Sequence, residues 1–206
     1  MSISDEAFQV IDALSIFYQS QNHGELGKHP LLISFTLRSD GKVRSGESVT
    51  EIIPKLIHYA HEKRVELIGV LFNCCEPEAI SKALQEIRSC SDIHRYLYHP
   101  PHHATQSSPT SLRKNENASQ SPRILFGAYA NRLTPVDEEW TLESSEEAQA
   151  MREDLLPDEY WREFVDRWRW HEGAACCSLI GGCCGIGPGH ISFLSSKLNN
   201  IQSLKS

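Results

Sequence analysis

The sequence has no excess of basic residues, no long apolar run and no basic N-terminal segment, and each absence excludes a class of function. Its 206 residues carry 20 Lys+Arg against 27 Asp+Glu, a formal net charge of -7. A nucleic-acid binder needs a clustered basic face to meet phosphates, and this balance argues against one. No apolar run, that over 67–72 included, approaches the roughly 18–20 residues of a membrane span. Met1 through Ala7 include Asp5 and Glu6 and no basic stretch, unlike a secretory signal, so the expected location is cytoplasmic. Cys-x-x-Cys spacing is also missing, which weakens a thiol-redox reading.

Hydrophobic residues at 40% and charged residues at 23% are ordinary for a folded chain of one full-sized domain or two small ones. The seven cysteines are less ordinary. Six form adjacent pairs, Cys74-Cys75, Cys176-Cys177 and Cys183-Cys184, and Cys90 stands alone. An odd count without an export signal argues against a disulfide framework. Adjacent cysteines are also poor partners for each other, because the bond would strain the peptide between them. An isolated buried Cys is most simply core filler, whereas doubled cysteines at strand ends suit a thiolate metal site.

The apolar pattern predicts alternating helices and strands. Residues 4–20 read as a helix with Phe8, Ile11, Leu14 and Tyr18 on one face, and 31–37 as a strand apolar nearly throughout, as expected where both sheet faces are covered. Val49, Ile52, Ile53, Leu56, Ile57 and Ala60 follow the helical repeat. A second apolar strand over 65–72 runs into Asn73-Cys74-Cys75-Glu76-Pro77, and Pro77 suits the first turn of the next helix. A third strand spans 123–129. The helix after Pro157 carries Tyr160 or Trp161, Phe164 and Trp168 on one side. A fourth strand covers 174–180, and Pro188, Ile191, Leu194 and Leu198 mark a closing helix. Strands alternating with helices are the signature of a parallel α/β sheet. Residues 99–122 break the pattern. They are rich in Ser, Pro, His and Asn, cannot bury enough apolar surface to offset their ordering entropy, and read as a disordered surface insertion.

The segment Gly181-Gly182-Cys183-Cys184-Gly185-Ile186-Gly187-Pro188 is the one motif that carries chemistry. A dinucleotide fingerprint would need glycine where His190 stands, and a Walker loop would need Gly-Lys-Ser or Gly-Lys-Thr, so both nucleotide readings fail. What remains is a glycine-flanked turn presenting two thiols at the C-terminal end of a strand, the end where parallel α/β folds place their sites. Cys74 ends another strand. Three converging thiols suit a soft, tetrahedral metal with one open position, the catalytic zinc pattern. A closed structural zinc site and unliganded cysteines remain alternatives on spacing alone.

The stretch from Gly181 to Ile191, with Asn73-Cys74 and Pro77, resembles the zinc-binding pattern of the homocysteine S-methyltransferase family. Ile33-Ser34-Phe35-Thr36, Gly46-Glu47-Ser48 and Gly127-Ala128-Tyr129-Ala130-Asn131-Arg132-Leu133 ahead of Trp140 support the resemblance over nearly the whole chain. It implies zinc held by Cys74, Cys183 and Cys184, with the homocysteine thiol in the fourth place. The implied reaction is methyl transfer from a sulfonium donor (S-methylmethionine or S-adenosylmethionine) to homocysteine, giving methionine. Cys75, Cys90, Cys176 and Cys177 are implied to be structural. The implied fold is the C-terminal half of a (β/α)8 TIM barrel, four βα units in a homocysteine-binding domain over 1–206 that is N-terminally incomplete and interrupted by the 99–122 insertion. The family's first four units grip the amino-acid end of homocysteine, so this chain alone is expected to turn over little. Exposed sheet edges are expected to favour a homo-oligomer, and a non-catalytic zinc-binding half-barrel acting through self-association or a partner is the alternative reading.

Overall fold

The computed structural model describes residues 3–20, 30–94, 96, 124–134, 150–169 and 177–203. Helix α1 (Ile3–Ser20), strand β1 (Leu31–Phe35), helix α2 (Val49–Glu62), strand β2 (Leu67–Asn73) and helix α3 (Pro77–Ser89) follow one another, then a short helix α4 (Ser91–His94) and strand β3 (Leu125–Tyr129). Helix α5 (Pro157–Tyr160) continues through a π-helical turn (Trp161–Val165) into α6 (Asp166–Trp168), ahead of strand β4 (Leu179–Ile180) and helix α7 (Pro188–Ser203). The expected insertion over 99–122, with Trp140 and Cys176, lies outside the described residues.

The strands form one four-stranded parallel sheet in the order β1-β2-β3-β4. Parallel crossovers are right-handed, and with strands added in one direction they place successive helices on the same face. The burial follows. Ile33, Phe35, Val70, Phe72, Phe126 and Ala128 point into the core with α2 and α3. In α2, Val49, Ile52, Ile53, Leu56, Ile57 and Ala60 are all buried, the same set the helical repeat selects. Its start is fixed by a capping box: the Ser48 hydroxyl accepts from the Glu51 N–H while the Glu51 carboxylate accepts from the Ser48 N–H. Each large aliphatic on that face contributes about 1.5–3 kcal/mol by leaving water.

The other face of the sheet is open, which corrects the expectation that β1 is covered on both sides. Leu32 is 44% exposed and Leu179 39%, and Ser34 is exposed as well. Two leucine–glycine–leucine rows cross this face: Gly69 sits between Leu32 and Leu125, and Gly127 between Leu71 and Leu179. A Cβ at Gly69 would stand 2.7 Å from Leu32 Cδ2, so the leucines lean over the glycines. Alternating large and small inward residues suit the tapering interior of a small barrel.

Three further differences concern β1, the helix after Pro157 and β4. Strand β1 stops at Phe35 because the chain turns back there: Leu37 bridges Val43 in antiparallel fashion around Gly41, whose φ of +88° favours glycine. The helix after Pro157 widens into a π turn over Trp161–Val165, and Tyr160, Trp161, Val165 and Trp168 are all buried. Strand β4 is only two residues long, preceded by a bridge between Arg169 and Cys177.

Truncating Leu56 to Ala, at a fully buried site, should cost about 2–5 kcal/mol, while Val10→Ala on the exposed side of α1 should stay within about 0.5 kcal/mol. Urea denaturation checks both, and equal losses would contradict the assignment of the core.

Candidate metal centre

The site forms where β2 and β4 emerge on either side of β3. The end of β3 fixes their spacing: the Tyr129 carbonyl accepts from Cys74 N–H at 3.2 Å, and the next carbonyl, Ala130, accepts from Cys183 N–H at 2.8 Å. Asn131 N–H then donates to the Cys75 carbonyl at 3.0 Å, and Arg132 N–H to the Cys184 carbonyl at 2.7 Å. Cys74 adopts a left-handed backbone with φ of +49°, uncommon for a residue with a Cβ and of a kind that persists only where neighbours over-determine it.

Glycine is required in the second loop for two separate reasons. A side chain at Gly182 would overlap Ile186, and Gly185 combines a φ of +78° with Arg132 Cβ only 2.9 Å from where its own Cβ would lie. The turn closes through Ile186 N–H to the Cys183 carbonyl at 3.0 Å. Behind it, the buried Tyr160 donates to the Gly181 carbonyl at 3.0 Å, and the His190 ring at the start of α7 meets the Leu155 carbonyl at 2.9 Å. Arg132 donates through Nε to the Arg152 carbonyl, and Arg152 binds Glu78 at 2.8 Å and Asp154 at 2.6 Å. Burial works to raise the Glu78 carboxyl, but the Arg152 guanidinium outweighs it and holds that acid low. This ion pair ties α3 to the segment beneath the loop.

The result is a cluster of three sulfurs. Cys74 Sγ lies 3.7 Å from Cys184 Sγ, Cys183 Sγ lies 3.8 Å from Cys184 Sγ, and all three atoms fall within 4.8 Å of one another. No other trio of Cys, His or acidic side chains among the described residues is close enough to hold a metal ion. Cys75 points away into the core, Cys177 is buried and Cys90 half-buried. A family model for homocysteine S-methyltransferase matches residues 5–198. The chain belongs to that family. No curated protein and no solved structure matches it. Membership of the homocysteine S-methyltransferase family makes this a methyltransferase-type domain, and the three thiols can hold a metal ion. No helix among the described residues is long and apolar enough to cross a membrane.

Around the cysteines, the structure brings in a polar group that sequence reasoning left without a role. The Tyr129 hydroxyl donates to Ser34 Oγ at 2.6 Å, and Ser34 donates to Asn73 Oδ1 at 2.9 Å. These residues come from three strands and share the open face. The alternation of Leu32 and Ser34 along β1 is the one trace of it in the sequence.

Partial burial, with Cys183 and Cys184 adjacent, pushes the Cys74 thiol up to about 12. A metal must therefore displace a proton that the metal-free site retains at neutral pH, so affinity should rise with pH from 6 to 9. Chelator competition across that range measures it, and a pH-independent affinity would contradict the thiol assignment. In metal-free protein at pH 8, Cys74 should alkylate slowly, because the thiolate is the nucleophile. Peptide mapping after iodoacetamide treatment reads this directly.

Proposed function

We propose that the chain is a zinc-dependent homocysteine S-methyltransferase domain in which Cys74, Cys183 and Cys184 hold the metal. The observation that carries this reading is the sulfur spacing. Zinc binds thiolate sulfur at about 2.3 Å in tetrahedral geometry, which puts neighbouring sulfurs about 3.8 Å apart; the separations of 3.7 and 3.8 Å fit. Cys74, Cys183 and Cys184, three soft donors from two loops with Cys184 exposed, would hold the metal and leave its fourth coordination position to an incoming thiol.

Zinc held there would supply Lewis acidity that lets an incoming thiol lose its proton to solvent at neutral pH. The donor's carbon–sulfur bond breaks with its electron pair passing to the sulfonium sulfur. The homocysteine sulfur forms the new bond to the methyl carbon, and the products are methionine and a neutral thioether. The sulfonium donor is S-methylmethionine or S-adenosylmethionine. No general base is required of the chain. Its own residues orient the reacting sulfur, and orientation of this kind is worth several kcal/mol. The backbone hydrogen bonds that Cys74 and Cys183 donate to the Tyr129 and Ala130 carbonyls hold the two loops so that this orientation is set in advance.

We read the fold as half of a (β/α)8 barrel, supported by four sequential parallel βα units and the leucine–glycine alternation on the open face. In such barrels sites lie at the C-terminal ends of the strands, where these cysteines stand. The exposed Leu32 and Leu179 also favour a second reading, a zinc-holding half-barrel that acts through self-association.

Purified protein should contain one zinc per chain, and a Cys183→Ser/Cys184→Ser double variant should lose it. Equal zinc in both would refute the ligand set. Replacing Cys177 should leave zinc unchanged. With homocysteine and S-methylmethionine, the 206-residue chain alone should form methionine below the common enzyme range of about 1–10³ s⁻¹. Sedimentation velocity should show dimers or larger species, and a monomer at every concentration would argue against the self-association reading.

A further inference from the structure

We infer that Tyr129 and Ser34 are positioning residues that act through Asn73 to aim the Cys74 thiol into the metal centre. The inference rests on the zinc reading above and names how this chain builds one arm of that site.

Of the three cysteines, Cys74 has the least common backbone, with φ of +49°, and its loop is tied to the chain at the end of β3 by two backbone bonds, Cys74 N–H to the Tyr129 carbonyl at 3.2 Å and Asn131 N–H to the Cys75 carbonyl at 3.0 Å. Cys183 and Cys184 sit in a turn closed on itself and held from behind by Tyr160. The Cys74 side needs a different support, and the open face provides one. Tyr129 is the register partner of Asn73, and Ser34 is the partner of Leu71, two residues earlier on β2. The Tyr129 side chain therefore reaches from β3 across the end of β2 to β1, and Asn73 is held from β1 by Ser34. Each hydroxyl has one proton. Tyr129 spends its proton on Ser34, which directs the Ser34 proton to Asn73 Oδ1. The orientation of Asn73 is thus set from both flanking strands, and Asn73 is the residue covalently next to Cys74. Tyr129 holds this corner twice, with its backbone carbonyl on Cys74 and its phenol on the Ser34–Asn73 link. Partners that orient metal ligands typically change affinity by about 10–100-fold when removed.

Zinc affinity by chelator competition tests this, with the absorption spectrum of the cobalt-substituted protein as a second readout and the melting temperature of metal-free protein as the control. Tyr129→Phe, which keeps the ring, and Ser34→Ala should each weaken zinc about 10–100-fold and alter the cobalt–thiolate bands. Ser34→Thr, which keeps the hydroxyl, should restore affinity to near wild type. Metal-free melting temperatures should change little, because the cluster is exposed. Wild-type zinc affinity in both Tyr129→Phe and Ser34→Ala overturns the inference and leaves the zinc reading standing. Lower melting temperatures with unchanged affinity overturn it as well, by showing a purely structural role. A wild-type chain that binds no zinc overturns the metal reading and this inference together.

Discussion

Two consecutive carbonyls at the end of β3 set the distance on which the site depends. Tyr129 and Ala130 accept hydrogen bonds from Cys74 and Cys183 on either side, so β3 acts as the spacer between loops that lie far apart in the chain. Neighbouring strands in any sheet are about 4.8 Å apart, which leaves β2 and β4 too distant for direct sulfur contact at strand level. The loops bend inward above β3 to bring the sulfurs within 4.8 Å. That bend requires the left-handed conformation at Cys74 on one side and the glycines at 182 and 185 on the other.

The remaining structure supports this convergence. Helices α2 and α3 bury one face of the sheet and fix the strand order. The Arg152 pairing with Glu78 and Asp154 ties α3 to the segment that runs under Arg132. Tyr160, at the end of α5 just ahead of the π turn, anchors Gly181 from behind. The open face carries no charged side chain at the positions between Leu32 and Leu179, only leucine, glycine, serine, asparagine and tyrosine. Covering the exposed Leu32 and Leu179 on that face would add stability by removing apolar surface from water.

Much of this was legible in the sequence where one physical cue dominates. The apolar repeat of α2 named its buried face residue by residue, and Pro77 marked the start of α3. The Gly181–Pro188 turn and Asn73-Cys74 identified the three thiols that the fold gathers, because glycine at a turn and cysteine at a strand end have few other uses together. The open face of β1 was not legible. Leu31, Leu32 and Ile33 read as a strand covered on both sides, since an apolar run does not say what is available to cover it. The π turn escaped because the reading assumed a constant helical period. The Tyr129–Ser34–Asn73 chain joins residues that no local pattern links, and only the strand order reveals it.

Zinc-edge X-ray absorption of the purified protein, with and without homocysteine, tests the central claim most directly. The account predicts three sulfur neighbours at about 2.3 Å and one lighter atom, becoming four sulfurs when homocysteine is added. Fewer than three sulfurs in the resting protein, or a shell that homocysteine leaves unchanged, would contradict it.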